Sequence, residues 1–207
     1  MIKIYVLPVA ALCYAATLAC AKQSAAEHPT VREFALDACH FSLVDPYQAW
    51  IDTDKVSNPH SASYIATLNP RSRHPFETSI RFSCQNAATA KTYSDRAGMQ
   101  MTPKGWTIDP SPDNLGIKEQ HTTFYPLHGQ GWEGGGVTQD EINGEESRRT
   151  RSFSFCAPHG QFALCGSIQS VAYLMWPKET TLPQVIKLLE SIEFIDTPTP
   201  ASSSSSP

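Results

Sequence analysis

The sequence predicts an α+β fold, in which helices pack on an antiparallel β-sheet. Most of the chain consists of short segments that alternate apolar and polar residues, as strands do. Two segments, at residues 87–101 and 182–190, have the apolar spacing of helices instead. Because hairpins and a meander join the predicted strands, the sheet is expected to be antiparallel, and helices packed on such a sheet define the α+β class.

Strand signals begin at residue 31 and recur to residue 176. In chain order the predicted strands are Val31–Val44, Tyr64–Leu68, Ser79–Cys84, Val137–Ile142, Glu145–Ala157 and Gln161–Trp176. Asn143-Gly144 separates two of them and strongly favours a two-residue hairpin. The run Gly134-Gly135-Gly136 could cradle an anion, but it lacks a following helix and lysine. We interpret it as a flexible loop or a strand bulge.

Two helices interrupt the strands. The first is predicted over residues 87–101, with Gly98 as a point where it can end early, and its apolar stripe consists of Ala90, Tyr93, Ala97 and Met101. The second is predicted to begin at a capping box formed by Thr181 and Gln184. Its buried face consists of Val185, Leu188, Leu189 and Ile192, and an extended segment follows over Ser191–Phe194.

The first residues have the features of a secretory signal. Lys3 provides a cationic start, and residues 5–19 are uncharged and mostly apolar. This run is too short for a helix that must span about 20 residues of bilayer. We therefore predict a signal peptide over residues 1–19.

Cys20 stands directly after this apolar run and resembles the acylated cysteine of a bacterial lipoprotein. Leu18 and Ala19 fit the lipoprotein cleavage box, whereas Thr17 departs from it because leucine is usual at that position. The first interpretation is cleavage before Cys20 and a lipidated tether over residues 20–30, with Ala21 directing the protein to the outer membrane. The alternative is ordinary cleavage within Ala19-Cys20-Ala21, which leaves the protein soluble in the periplasm or secreted.

The remaining chain is predicted to form one domain. Residues 31–196 are long enough to bury a core of their own. Residues 197–207 consist of threonine, proline, alanine and serine, a low-complexity composition that predicts a disordered tail. Loss of Lys3 with the signal peptide takes the formal net charge from −4 to −5. This mild acidity argues against nucleic acid as a partner.

The cysteines divide into groups with different roles. Cys13 leaves with the signal peptide and Cys20 is the lipidation site, so the cysteines that remain are Cys39, Cys84, Cys156 and Cys165. An even number in an exported chain predicts two disulfides. A type II′ hairpin at Gly160-Gln161 places Cys156 directly opposite Cys165. That assignment pairs Cys39 with Cys84. Metal ligation or redox catalysis by the hairpin pair is the alternative, but its spacing fits neither a CxxC motif nor a zinc knuckle.

Both ends of the predicted domain resemble PsbP/DcrB-like domains. The residues that carry this resemblance are the stretch Phe41-Ser42-Leu43-Val44-Asp45-Pro46 with Trp50, and the capped helix Leu182–Glu190 with the terminal strand Ser191–Phe194. The resemblance implies an α/β/α sandwich around an antiparallel sheet. Members of this fold are mainly non-enzymatic binders, among them photosystem-assembly proteins, a Ran-binding nuclear factor and periplasmic immunity proteins against type VI secretion toxins.

The sequence predicts no catalytic residue, no metal site and no cofactor. Its seven histidines are scattered and form neither HxxxH nor HExxH. It contains no GxSxG elbow and no P-loop. The tryptophans, Trp50, Trp106, Trp132 and Trp176, are expected in the core, with Trp106 and Trp132 as alternative interface anchors because they lie in Pro/Gly-rich segments.

The most suggestive surface feature is the predicted hairpin over residues 137–151. Its tip carries acidic residues around Asn143-Gly144, namely Asp140, Glu141, Glu145 and Glu146. A two-residue turn puts Glu141 opposite Glu146, a like-charge pair that destabilises the ribbon and favours projection into solvent. The hairpin is then either a solvated edge ribbon or an acidic finger that enters a basic cleft of a partner protein. Trp132 is a further candidate for partner binding.

These observations predict a lipid-anchored periplasmic protein that works by binding another protein. The most concrete version is an immunity or inhibitor protein that blocks a toxic effector enzyme. One alternative is a structural or assembly lipoprotein of the cell envelope. The other is a hydrolase whose catalytic residues form no recognisable motif.

Overall fold

The computed structural model describes residues 30–111 and 118–195. Within them the strands are β1 (Thr30–Leu36), β2 (Cys39–Asp45), β3 (Trp50–Asp54), β4 (Ser61–Thr67), β5 (Glu77–Gln85), β6 (Met99–Thr102), β7 (Gly105–Ile108), β8 (Thr123–Gly129), β9 (Trp132–Asp140), β10 (Thr150–His159), β11 (Phe162–Tyr173) and β12 (Glu193–Phe194). The helices are α1 (Ala90–Ala97) and α2 (Leu182–Glu190), with short 3-10 helices at Glu146–Arg148 and Pro177–Glu179.

Several sequence-based predictions lie outside these described residues. They are the signal peptide over residues 1–19, the lipidation of Cys20 with nearly all of the tether, and the tail over residues 197–207. In the described part of the chain, no helix is long and apolar enough to cross a membrane.

An antiparallel sheet of seven strands dominates the fold, in the order β3-β4-β5-β11-β10-β9-β8. A smaller sheet has the order β1-β2-β12, and β6 and β7 form a separate hairpin. The predicted antiparallel sheet is therefore confirmed. Strands hold 52% and helices 14% of the structure, so the molecule is mainly β, with less helix than the predicted α+β class implies.

The inner face of the central sheet carries the main hydrophobic core. Helix α2 and the small sheet cover this face, and fully buried rings from both layers meet there. Phe41 of β2 lies 5.0 Å from Phe34 of β1 and 5.5 Å from Phe82 of β5, measured between ring centroids. The predicted buried face of α2 is confirmed, because Val185, Leu188, Leu189 and Ile192 all belong to this core.

The predicted capping box at the start of α2 does not form. Thr181 stands at the N-cap but is fully buried, and its hydroxyl donates to the carbonyl oxygen of Val171 at 3.3 Å. The hydroxyl of Thr180 instead accepts the hydrogen bond from the Leu182 N–H at 3.2 Å. The prediction is wrong because the start of the helix packs against β11. There the Thr181 hydroxyl forms a tertiary hydrogen bond instead of capping the helix.

The outer face of the central sheet is covered over part of its width by α1 and the β6–β7 hairpin. Tyr93 and Ala97 of α1 pack there on Val137 of β9. The helix ends at Gly98, whose left-handed backbone (φ 58°) closes its last turn. The prediction of a helix to residue 101 is therefore too long, and Met101 is an exposed residue of β6.

Both predicted disulfides are present. The bond between Cys39 of β2 and Cys84 of β5 ties the small sheet to the central sheet on the inner face, with 5.5 Å between the Cα atoms. The bond between Cys156 and Cys165 joins β10 to β11 on the outer face beneath α1, with 4.1 Å between the Cα atoms. The turn at Gly160 (φ 57°) sets the predicted register of these two strands. Two disulfides are typical of a protein that matures outside the reducing cytosol.

The three consecutive glycines lie inside strand β9, so the prediction of a flexible loop or a bulge is wrong. A Cβ atom on Gly135 would stand 2.4 Å from the Phe124 ring on the outer face. A Cβ atom on Gly136 would stand 2.2 Å from the Phe153 ring on the inner face. The bare backbone therefore provides space for an aromatic ring on each face of the sheet.

We expect Gly136→Ala to lower the free energy of unfolding by about 1–3 kcal/mol, because the new methyl group overpacks the core against Phe153. Urea denaturation measures the change. The matched control is the same substitution in a Phe153→Leu background, where the ring contact is removed and the contact with the Ser154 carbonyl oxygen at 2.8 Å remains. The cost of Gly136→Ala should fall there, and an equal cost in both backgrounds would exclude the ring contact as its cause.

Candidate functional site

Part of the outer face of the central sheet carries no covering layer among the described residues. α1 and the β6–β7 hairpin pack over β8, β9, β10 and the part of β11 around Ala163 and Cys165, which leaves β3, β4, β5 and the following part of β11 uncovered. We call this surface the open face. Its outward positions, aligned by the strand register, are Trp50, Asp52, Asp54, Ser61, Ser63, Ile65, Thr67, Glu77, Ser79, Arg81, Ser83, Ser167 and Gln169.

Serine is unusually frequent on the open face. Five outward positions of β4, β5 and β11 hold it, at residues 61, 63, 79, 83 and 167. Serine is not among the β-branched and aromatic residues that strands favour, so strand propensity does not explain this choice. A short hydroxyl side chain both donates and accepts hydrogen bonds, and it loses little rotamer entropy when it is fixed. Such a face suits contact with a polar partner.

Arg81 occupies the middle of this serine array. In the register of the sheet it stands directly opposite Ser63 of β4 and Ser167 of β11. Its Nε and Nη2 atoms both donate to the Oγ of Ser61, at 3.2 and 3.1 Å. The Asp54 carboxylate is farther away, 3.8 Å from Nη2, and the Arg81 side chain remains 57% exposed. The guanidinium is thus held in place by a neutral partner and stays accessible.

A groove lies on each side of Arg81. The first, here called the Arg96 groove, has a volume of about 410 Å³ and reaches the C-terminal half of α1; its polar lining includes Ser57, Asn58, Ser61, Arg81, Ser83, Asp95, Arg96 and Ser167. The second, here called the Glu77 groove, also has a volume of about 410 Å³, and it is lined by Ser63, Glu77, Ser79, Arg81, Ser167, Gln169 and Ser170. Both grooves are open to solvent and polar.

The carboxylates near the Arg96 groove already have partners. Asp95 accepts a hydrogen bond from the Lys91 Nζ at 2.9 Å. Asp54 accepts from the backbone N–H groups of Val56 and Ser57 at 2.9 and 3.1 Å. These backbone hydrogen bonds, that from Ser57 first, hold the pKa of Asp54 below its ordinary value. Among the charged groups that line this groove, the guanidinium groups of Arg81 and Arg96 are therefore the ones least neutralised by a close partner of opposite charge.

The predicted acidic finger is not what the structure shows. β9 and β10 pair Asp140 with Arg151 and Gln139 with Ser152, so residues 141–149 form a loop rather than a two-residue turn. Glu141 does not stand opposite Glu146. The register prediction is wrong because Asn143-Gly144 lies within this longer loop, where the following residues form a 3-10 helix instead of a strand.

Several charged side chains of this loop have partners in the loop or at its ends. Glu141 accepts a hydrogen bond from the Thr150 N–H at 2.8 Å, and Glu145 pairs with Arg148 at 3.2 Å. The Arg149 guanidinium donates to the Gly144 carbonyl oxygen at 3.2 Å. Glu146 is exposed at the start of the 3-10 helix. The loop therefore folds on itself, which removes the physical reason for a projecting acidic ribbon.

Asp140 is a buried residue that stabilises the fold, and it does not lie at an exposed hairpin tip. Its side chain is 7% exposed, and its carboxylate accepts from the Arg151 Nε and Nη2 atoms at 2.5 and 2.8 Å. The Nδ1 atom of His121 lies 3.2 Å from the same carboxylate. Burial acts to raise the pKa of Asp140, but the hydrogen bonds and charge of Arg151, with those of His121, outweigh it and lower the pKa. Asp140 thus fixes the end of β9 to β10.

Trp132 is buried, which confirms the expectation that it lies in the core and leaves the alternative of an interface anchor without support. Its side chain packs against Phe194 of β12, and its Nε1 atom donates to the Ile192 carbonyl oxygen at 2.9 Å. The prediction that Trp50 lies in the core is wrong, because 65% of this residue is exposed at the edge of the open face. Trp50 points outward from an edge strand, where a side chain of any size stays exposed.

Sequence reasoning missed the open face. The signal that could have found it is the alternation of serine with core residues through β4 and β5, in Ser61-Ala62-Ser63-Tyr64 and in Ser79-Ile80-Arg81-Phe82-Ser83. This alternation marks a sheet with one polar face. It does not tell whether another element covers that face.

Comparisons with known proteins identify no family. No family model matches the chain, and no curated protein matches it. Among solved structures, the chain is similar to a protein of Bacteroides thetaiotaomicron VPI-5482 solved at 1.50 Å resolution, with 15% sequence identity and a TM-score of 0.39. The match covers 75% of this chain and 45% of that one. A match at this level indicates neither a family nor a function.

Proposed function

We propose that this protein is an exported, non-enzymatic binding protein that holds another protein against its open face. The observation that carries the proposal is the array of five serines around the accessible guanidinium of Arg81. The other face of the central sheet is filled by core residues. A face that is polar and rich in short side chains offers many hydrogen-bonding groups at low entropic cost.

Inhibition of an enzyme is the form of binding that this surface supports best. A rigid sheet held by two disulfides presents the face without rearrangement, which lowers the cost of association. The two grooves beside Arg81 accept protruding side chains from a partner, and the surrounding serines seal the contact against water. An immunity or inhibitor protein of the periplasm acts in this way, by occluding the active site of a toxic enzyme.

Lipid attachment at Cys20 completes the proposal. The segment from Cys20 to the start of β1 has about ten residues and reaches roughly 33 Å when extended. An anchor in the outer membrane would therefore hold the domain close to the membrane surface. Palmitate labelling tests the anchor separately, and a Cys20→Ala variant supplies the unlabelled control.

Site-specific photo-crosslinking in the periplasm tests the binding surface. A photo-crosslinking amino acid in place of Ser79 or Ser167 is expected to yield one covalent adduct with a partner protein. The same amino acid in place of Val31 on β1, or of Arg148 in the 141–149 loop, serves as a matched control at an exposed site elsewhere. Adducts from position 148 in place of 79 and 167 would refute the open face. An adduct with an envelope-assembly protein instead of an enzyme would refute the inhibitor assignment.

A further inference from the structure

We infer that the Arg96 groove is a carboxylate-binding site and that the protein partner presents acidic side chains to it. This inference rests on the proposed function and names the chemistry of the partner. The partner's charge is then opposite to the one that the sequence suggests. An acidic finger requires a basic partner, whereas this groove requires an acidic partner.

The charge of the groove favours an anion. Arg81 and Arg96 both line it, and Asp95 is its acidic lining residue. Lys91 holds the Asp95 carboxylate through both oxygens, at 3.1 and 2.9 Å, and thereby offsets its charge. With Lys91 counted, three cationic groups stand at this end of the open face beside two carboxylates, those of Asp95 and of Asp54, which lies 3.8 Å from the Arg81 Nη2 atom. The Glu77 groove differs, since Arg81 and Glu77 balance one another there.

The geometry of Arg81 favours a carboxylate over a point charge. Its Nε and Nη2 atoms donate to one hydroxyl oxygen, that of Ser61, which fixes the plane of the guanidinium. A planar guanidinium matches the two oxygens of a carboxylate with parallel N–H donors. Because the side chain is positioned before binding, little rotamer entropy is lost when the carboxylate arrives.

The rest of the groove supplies neutral donors. Ser83 of β5, Ser167 of β11 and Asn58 all line the groove. Hydroxyl and amide groups donate to the carboxylate oxygens that a guanidinium leaves unsatisfied. The groove volume of about 410 Å³ exceeds the volume of one carboxylate. The groove can therefore hold more than one acidic side chain of the partner protein.

NMR titration of the intact domain tests the site with an acetylated hexaglutamate peptide as probe. Saturable shifts are expected for the Arg81 Nε–Hε group and for the backbone amides of Ser83 and Ser167, and higher salt should weaken binding. Arg81→Gln is expected to reduce the affinity at least tenfold. Arg81→Lys keeps the positive charge but loses the paired N–H donors of the guanidinium. Its affinity should lie between that of the wild type and that of Arg81→Gln. Arg148→Gln changes an exposed arginine away from the groove and should leave the affinity unchanged.

Two further probes fix the identity of the ligand. A hexalysine peptide should cause no saturable shift at Arg81. Inorganic phosphate should bind more weakly than the glutamate peptide, and tighter binding of phosphate would overturn the assignment to an acidic protein. An unchanged spectrum with hexaglutamate, or equal affinity in Arg81→Gln with a spectrum that shows intact folding, would also overturn it.

The outcomes separate this inference from the proposed function. If adducts form at Ser79 and Ser167 but hexaglutamate does not bind, the open face is the binding surface and the carboxylate site is refuted. If hexaglutamate binds through Arg81 but no adduct forms at either serine, the carboxylate site stands and the proposed function is refuted.

Discussion

Replacing Cys39 and Cys84 together by alanine is expected to lower the free energy of unfolding by about 4 kcal/mol. The two cysteines are separated by 45 residues, so their bond removes a large loop-closure entropy from the unfolded chain. Both are buried in the main core, and alanine leaves no unsatisfied polar group there. Urea denaturation of the oxidised proteins measures the difference in the free energy of unfolding.

The second disulfide provides the matched control. Cys156 and Cys165 are separated by only 9 residues, and replacing both by alanine should cost about 2.7 kcal/mol. Both bonds are buried and both pairs of substitutions remove the same atoms, so the order of the two losses reports on loop length. A larger loss from the hairpin pair would contradict the entropic explanation.

Asp45→Ala is expected to lower the free energy of unfolding by roughly 3–5 kcal/mol at neutral pH. Asp45 is 1% exposed at the end of β2. Its carboxylate accepts from the Tyr64 hydroxyl at 2.6 Å, from the Arg32 Nε at 3.1 Å, and from two backbone N–H groups at 3.0 Å. Removal of the carboxylate leaves a buried phenol and a buried backbone N–H without their acceptor. Burial and the nearby carboxylate raise the pKa of Tyr64, so its hydroxyl remains a donor throughout.

The pH dependence of this loss follows from the pKa of Asp45. Burial acts to raise it, but hydrogen bonds from Tyr64, Arg32 and the backbone outweigh burial and hold the pKa below the ordinary value of 3.8. A depressed folded-state pKa gives stability that is present above pH 3.8 and is lost as the pH falls through the folded-state value. The gap between wild type and Asp45→Ala should therefore narrow in acid.

A surface substitution shows that the loss is specific to this network. Asp95→Ala removes an exposed carboxylate that pairs with Lys91 one helical turn away, and it should change the free energy of unfolding by less than about 0.5 kcal/mol. Equal losses from the two aspartates at neutral pH would show that the carboxylate of Asp45 does not organise the start of the domain.

Local sequence rules predict those parts of the fold that depend on neighbouring residues. Gly160 fixes a tight turn, and from it the register of β10 and β11 and the pairing of Cys156 with Cys165 follow. The buried stripe of α2 follows in the same way from its 3.6-residue period.

The same rules fail where contacts between residues far apart in the sequence determine the local structure. Asn143-Gly144 favours a tight hairpin, but the pairing of β9 and β10 begins at Asp140 and Arg151, whose buried ion pair holds the strands together outside the loop. Trp132 lies beside glycines that suggest a loop, yet its indole N–H finds an acceptor at Ile192, 60 residues later in the chain. Burial of a polar group depends on partners that spacing alone cannot identify.

The open face was beyond sequence reasoning for a related reason. Alternation in β4 and β5 predicts one polar and one apolar face, but the polar face of a strand is equally compatible with solvent, a helix or a partner. Only the position of α1, which packs over β10 and part of β11, shows that no other element covers Arg81 and the serines around it, of which Ser61 alone is buried, beside the Arg81 guanidinium.

The alternation of β4 and β5 also bears on how the protein can evolve. Side chains that build the core, such as Tyr64 and Ile80, point away from those that meet solvent, such as Ser63 and Ser79. Exchange of an outward serine alters the open face and leaves the interior intact. If this face binds a protein partner as proposed, its specificity can change one residue at a time, while selection for a stable fold acts on a separate set of positions.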